Sequence, residues 1–361
     1  MNSFALYVTL FLKLEVGIII LFVLFAYAAK LNQYFKARVH SAKRLKLRRI
    51  IQRVSQKGRS FSLKEFRHFK REIHFTLDMI AEFDESIIRP INWEDLKQSL
   101  IANSLLPKAR VYALSKNMYR RYLAIQCFQY GPLATDEASI IRLMHDKILL
   151  ISLNAARIAF KFPSIGLINS MIDAFSQGRR LQQSVYAYAI HDETSNQIVP
   201  IIEERLTEEK NPYTKAFCYR LLLQFPSTLL IVPSAEQDIE SEVLDLKLAV
   251  INYLAHQNQQ NSVSIIRKFA NDSHWEVRAA VVRLLGVLND SSSIGNIGEK
   301  LKDKEWWVRF RAAEALAALG QKGIDILKEQ DPKSDRYAHE VAELILKRNA
   351  NDAILREHHN E

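Results

Sequence analysis

With 361 residues, 48% of them hydrophobic, the chain has enough apolar surface for a large core. Ten glycines and nine prolines are few for this length, which suits helices joined by short turns and argues against a strand-rich fold. The formal net charge is +10, but eleven Lys and Arg and no acid lie between Lys30 and Arg59; residues 60–361 are close to neutral, which excludes a nucleic-acid groove running along them.

Residues 1–29 read as a membrane anchor. Val16 to Ala29 is an uncharged run of fourteen residues, about 21 Å as a helix against a bilayer core of about 30 Å. Counting back about 20 residues from Lys30 reaches Leu10, with Lys13 close enough to the far interface for its stem to snorkel. Lys13 and Glu15 are two apart and do not face each other on a helix. Ala26-Tyr27-Ala28 resembles a signal cleavage site, yet the first residues are not basic. The basic block that follows resists translocation. The expectation is a transmembrane helix in the plasma (inner) membrane, single-pass, with the N-terminus outside and the C-terminal part in the cytoplasm.

Residues 30–59 read as a basic juxtamembrane helix. Leu31, Phe35, Val39, Ala42, Leu45, Ile50, Ile51 and Val54 thread an apolar stripe through it. Two readings stay open. The segment lies on anionic membrane lipid through Lys43, Arg44, Lys46, Arg48, Arg49 and Arg53, or it is a stalk whose charges serve topology alone.

Residues 60–92 form a connecting helix. Lys57-Gly58 breaks the chain, and Ser62 with Glu65 makes a capping box, with Phe61 and Phe66 as its staple. The helix should run to about Phe83. Arg89-Pro90-Ile91-Asn92 is a boundary, and Asn92 can cap a helix beginning at Trp93.

From Trp93 the predicted helices pair. Trp93–Ser104 goes with Met118–Phe128, Asp136–Met144 with Ile148–Phe160, Ile165–Phe175 with Leu181–Ile190, and Ile198–Thr207 with Pro212–Gln224. Thr228 to Val232 is the most strand-like run, and it falls where a first helix should be. After Leu254, Val263–Ala270 goes with Trp275–Leu288, Ile294–Leu301 with Trp307–Leu319, and Ile324–Glu329 with Tyr337–Lys347. Residues 349–361 are a polar tail that should fray or cap the last pair. Cys127 and Cys218 each fall on a predicted helix with no paired spacing, so they read as small core residues.

A period underlies the pairs. Asp303, Trp306, Val308, Arg309 and Leu316 return 31 positions earlier as Asp272, Trp275, Val277, Arg278 and Leu285. Further steps land on Lys247 with Leu254 and on Lys215 with Leu222. Asp146, Ile151, Ala155 and Ala156 keep the same internal spacing. A period near 30 marks a stacked repeat. Val308, Ala312, Leu316 and Leu319 make one apolar stripe, which a single hairpin cannot bury alone. The carboxylates of Asp272 and Asp303 precede helix starts, where free N–H groups are available.

Asp-x-x-x-x-Val-Arg-x-x-Ala-Ala, opening a helix, resembles the HEAT-like repeats of bacterial and eukaryotic helical solenoids. The likeness is strongest over Asp272–Leu288 and Asp303–Leu319 and extends over 93–348. It implies an all-α fold, a HEAT-like α-solenoid of about seven or eight helical hairpins whose second helices line the concave face. It also implies that Arg278, Arg309 and Lys247 bond to loop Asp residues of their own or the next repeat.

No catalytic, cofactor or metal constellation stands out. Deoxyhypusine hydroxylase, which resembles this fold, holds iron through several His-Glu pairs; this chain has one, His339-Glu340. There is no His-Glu-x-x-His, no phosphate-cradling glycine loop and no nucleophile elbow, and His358-His359 lacks further ligands. Trp275 and Trp306 read either as covers over repeat junctions or as a ligand-stacking ladder.

The function these readings support is a membrane-tethered protein-binding scaffold, not an enzyme. Resemblance to bacterial membrane-anchored HEAT-repeat proteins adds a sensory or envelope-polysaccharide setting. The alternative is a HEAT-like enzyme of lyase or DNA-repair type. Glu314 lies about 200° round its helix from Ala312, away from the core. With its counterparts Arg157, Arg220, Asn252, Arg283 and Glu343 it forms a candidate interaction row, basic toward the N-terminus and acidic toward the C-terminus, for a protein partner of reversed polarity.

Overall fold

The computed structural model describes residues 2–57, 62–86, 90, 92–190, 196–225, 232–257 and 260–359. Among them every regular element is helical. Gly58, Phe61, Arg89, Ile91 and most of the strand-like run at Thr228 lie outside the described residues. The chain divides into two compact units, Met1–Ser139 and Ile140–Glu361.

The first unit opens with one long helix, α1 (Asn2–Lys57), followed by α2 (Leu63–Arg71) and α3 (Ile73–Glu85). Among the described residues no helix is long and apolar enough to cross a membrane. This corrects the transmembrane anchor and the inner-membrane topology built on it. The uncharged run of α1 is fourteen residues, about 21 Å, bounded by Glu15 and Lys30 in the same helix. That falls short of a hydrocarbon core of about 30 Å. The C-terminal part of α1 is a packing element. Leu47, Ile50, Ile51 and Val54, at helical spacing, are all buried where α1 meets α2 and α3. The His40 ring lies edge-on to Phe75 at 5.0 Å.

The capping box is present: Glu65 N–H donates to Ser62 Oγ at 3.3 Å, and Ser62 N–H to Glu65 Oε2 at 2.8 Å. The helix it starts is broken at Glu72, where a single helix to Phe83 was expected. The buried Thr76 hydroxyl lies 3.1 Å from the Phe69 carbonyl and 3.0 Å from the Glu72 carbonyl, satisfying backbone groups that the break would strand. Asn92 does not cap through its side chain; it adopts φ 56°, a left-handed conformation that Asn tolerates.

α4 (Trp93–Leu100) runs through a π-helical turn, Ile101–Leu105, into α5 (Leu106–Ala113). The expected end at Ser104 is therefore passed. Pro107 would clash with a regular helix, and the wider π turn, with Leu106 N–H donating to the Ile101 carbonyl, lets the helix continue. α5 packs against α6 (Met118–Phe128).

The remaining helices are α7 (Glu137–Met144), α8 (Leu149–Lys161), α9 (Ile165–Phe175), α10 (Arg180–Ile190), α11 (Val199–Glu208), α12 (Pro212–Leu222), the short α13 (Ala235–Asp238), α14 (Leu244–Gln257), α15 (Gln260–Arg267), α16 (Trp275–Val287), α17 (Ile294–Glu299), α18 (Trp306–Ala318), α19 (Gln321–Lys328) and α20 (Arg336–His359). In the second unit the second helices form a layer: α8, α10, α12, α14, α16, α18 and α20 each pack on the next. α9 with α11, and α17 with α19, pack in the layer of first helices. The polar tail does not fray at Asn349; its backbone continues α20 to His359.

Close approach of the repeats rests on small residues. A Cβ on Gly286 would lie 2.6 Å from Ala315 Cβ, so α16 and α18 meet only because that position has no side chain. Asn289 (φ 54°) and Gly320 (φ 80°), 31 residues apart, both take left-handed backbone just after a second helix.

The turns entering α8, α12, α14, α16 and α18 follow one rule: a side-chain oxygen accepts the backbone N–H two residues on. Asp146 does so for Ile148 (2.9 Å), Glu209 for Asn211 (2.8 Å), Ser241 for Val243 (3.1 Å), Asp272 for His274 (2.8 Å) and Asp303 for Glu305 (3.0 Å). In the first unit Ser115 serves Asn117 the same way at 3.2 Å. Cations of the preceding second helix then bind the acids across the repeat junction. Lys247 reaches Asp272 at 2.8 Å, and Arg278 grips Asp303 with Nε at 2.7 Å and Nη2 at 2.8 Å. Arg278 also donates to the carbonyls of Asp272 and Ser273 in its own turn.

Burial would raise the Asp272 and Asp303 carboxyls. The hydrogen bonds from Lys247 and the His274 amide, and from Arg278 and the Glu305 amide, outweigh it and hold both below the ordinary carboxylate value. The unfolded chain therefore takes up these protons first as pH falls. Their contribution is complete above about pH 4 and is lost as pH drops through the folded values. Asp303→Asn leaves the Arg278 side chain, 8% exposed, without its carboxylate. The expected loss is about 3 kcal/mol at neutral pH. Urea unfolding followed by circular dichroism should show the gap between wild type and variant closing below about pH 4.

Candidate functional site

The outer face of the second-helix layer carries the predicted row, and the structure sorts its members. Arg157 is exposed, and its Nε donates to the Ala189 carbonyl at 2.7 Å. Arg220 is not on the surface. It is 5% exposed, held by Gln183 Oε1 and by Asp245 at 2.5 Å, so it is a structural ion pair. Helical spacing alone pointed it outward, but the start of α14 covers it and supplies the carboxylate. Asn252 and Arg283 are half-buried neighbours, with Arg283 Nη2 donating to Asn252 Oδ1 at 3.3 Å. Glu314 lies between Arg311 at 2.5 Å and Arg348 at 3.0 Å. Glu343 is exposed and pairs with Lys347 at 2.7 Å.

The row is thus contiguous from Asn252 through Arg283 and Glu314 to Arg348, but its expected acidic end is neutralised. What remains is positive. Burial, and then Arg311, press the Arg283 guanidinium below its ordinary value, with Glu314 opposing. A guanidinium held that way favours an added anion.

Beside it on α18 stands an aromatic cluster. Trp306 is 43% exposed and Trp307 51%. Trp306 stacks on Phe310 with centroids 5.0 Å apart and meets Trp307 edge-on at 4.7 Å. The Arg311 guanidinium lies 5.7 Å from the Phe310 ring. Trp275, its repeat counterpart, is half-buried, so the two tryptophans do not form a uniform ladder. Two consecutive tryptophans signalled this cluster in the sequence; its exposure was legible only once α20 was placed.

The six candidate lipid contacts divide equally. Lys43 pairs with Glu72 at 2.9 Å, while Arg44 and Arg48 both pair with Glu82 at 2.6 Å and 3.1 Å. These three bind α1 to the α2–α3 region. Lys46, Arg49 and Arg53 are exposed.

Cys127 and Cys218 are buried and free, and burial pushes both thiols up to about 12, so neither is a ready nucleophile. Among the described residues no three His, Cys, Asp or Glu side chains converge to hold a metal. His339 Nδ1 donates to the Gln330 carbonyl at 2.7 Å, and Glu340 pairs with Arg336 at 2.7 Å, so both have structural partners.

Arg220→Ala should strand Asp245 and cost about 3 kcal/mol. Arg157→Ala, losing one exposed bond, should stay within about 1 kcal/mol of wild type. Thermal melts of the two variants side by side check this assignment of one inward and one outward member.

Comparison with known proteins agrees with the repeats. A family model described as HEAT repeats matches residues 263–345. No curated protein matches the chain in sequence. Among solved structures, human deoxyhypusine hydroxylase in complex with glycerol is similar at 13% identity, over 70% of this chain and 98% of that one, with a TM-score of 0.30. A likeness at that score carries no weight for fold or chemistry.

Proposed function

We propose that this chain, whose residues 263–345 match HEAT repeats, works as a non-enzymatic scaffold that binds a protein partner on the exposed face of its second helices. HEAT repeats suggest a helical scaffold for protein interaction. The observation that carries the finer reading is the cluster of Trp306, Trp307 and Phe310 beside Arg283 and Arg311. Exposed tryptophans cost solvation while they stay uncovered, and Trp and Arg are the residues on which protein interfaces most often turn. Large stacked rings give a rigid, apolar anchor, and the arginines at its edge give orientation.

A photo-crosslinking side chain placed at Trp307 should yield discrete protein adducts in cells. The same group at the exposed Lys322 of α19, in the other helix layer, should not. Trp306→Ala should remove the adducts with little change in melting temperature, because the ring is nearly half exposed. Equal labelling at both positions would remove the assignment of this face.

A further inference from the structure

The turn entering α10 is built differently from its neighbours. Arg179 precedes α10 as His274 and Glu305 precede α16 and α18, and its N–H is accepted by Gln182 Oε1 at 3.0 Å, three residues on, rather than by a side chain two residues back. The place that Lys247, Arg278 and Arg309 hold in their helices is taken here by Gln183, which carries no charge. Gln183 stitches this turn instead. It is fully buried, and its amide nitrogen donates to the Ser176 carbonyl at 2.5 Å and to the Gly178 carbonyl at 3.2 Å.

At this turn an open cleft of about 450 Å³ is lined by Gly178, Arg179, Arg180, Asn211, Tyr213 and Asp245. Its single carboxylate, Asp245, is already taken by Arg220 at 2.5 Å. Arg179 and Arg180 are exposed, and among the described residues neither has a carboxylate partner. The cleft is net positive and sits at the start of α10.

The same repeat carries the second anomaly. Leu181, Val185 and Tyr188, one helical face at spacings of four and three, are 79%, 56% and 77% exposed. Tyr213, on the cleft wall, is also exposed. An apolar stripe of this spacing is what a helix buries against another helix.

We infer that α10 and the cleft at its start are a docking site for an amphipathic helix of a partner protein. The partner's apolar side chains cover Leu181, Val185 and Tyr188. An Asp or Glu at one end of it enters the cleft and pairs with Arg179 and Arg180. Charge complementarity selects an acidic end over a basic one. This site is separate from the tryptophan face of α18.

The test is selection of a displayed library of amphipathic helical peptides, with randomised ends, on the full-length chain. Selected peptides should carry Asp or Glu at one end, and their binding should weaken with salt. Arg179→Glu with Arg180→Glu, and separately Leu181→Ser with Tyr188→Ser, should each weaken binding about tenfold or more. Trp306→Ala with Trp307→Ala should leave binding unchanged, which separates failure here from failure at α18. Peptides without acidic ends, or equal binding to all variants, would overturn the inference. So would a dimer of the wild type that Leu181→Ser with Tyr188→Ser dissolves, since the stripe would then belong to a second copy.

Discussion

The turn acid between first and second helix is the interaction on which the repeat array depends. One carboxylate does two tasks: it accepts an amide of the turn it sits in, and it receives a cation from the preceding second helix. The first task fixes where a second helix begins. The second fixes how far it stands from its predecessor. Because both converge on one nearly buried group, angle and spacing of successive hairpins are set together. Close approach through Gly286 and Ala315 is possible only within that registration.

The linkage also explains why exposed charge is informative in this chain. Where rungs are intact, as at Lys247 with Asp272 and Arg278 with Asp303, the cations are consumed inside the array. Even in the basic block of α1, Lys43, Arg44 and Arg48 are engaged by Glu72 and Glu82. Arg179 and Arg180, which have no carboxylate partner among the described residues, stand apart from the cations held in those rungs.

Much of the helical plan was legible because it is periodic. The 31-residue step located Asp272 and Asp303 and the helices they open, and Asp146 was found by the same spacing. What sequence reasoning missed was non-periodic. The first helix of the solenoid was ended at Ser104, yet a π turn carries it past Pro107. Glu72 gave no breaking signal, since the break is stabilised by Thr76 from the next helix. Arg220 followed the outward spacing of its row, but exposure depends on the neighbour, and α14 brings Asp245 over it. The apolar run of α1 was read as a membrane span although its uncharged length falls short, and the charge that follows it was read as topology when half of the singled-out cations serve packing.

The far end of the array shows the same logic by its failure. Arg309 repeats Arg278 in every local respect: its Nη1 donates to the carbonyls of Asp303 and Lys304, as Arg278 does to Asp272 and Ser273. The next rung is absent, however. Arg309 Nε is buried with no hydrogen-bond partner, and the guanidinium rests 5.2 Å from the Tyr337 ring instead of gripping an acid. A cation over an aromatic face is a weaker anchor than a bidentate carboxylate. The junction of α18 with α20 is thus held more loosely by charge than the one before it, and the exposed tryptophans stand at that junction. Both surfaces singled out here, α10 with Gln183 in the cation's place and α18 beside Arg309, lie where the carboxylate–cation rung of the neighbouring repeats is replaced. A repeat array specifies its own stacking by consistency, so departures from the rule are where side chains are released to meet something else.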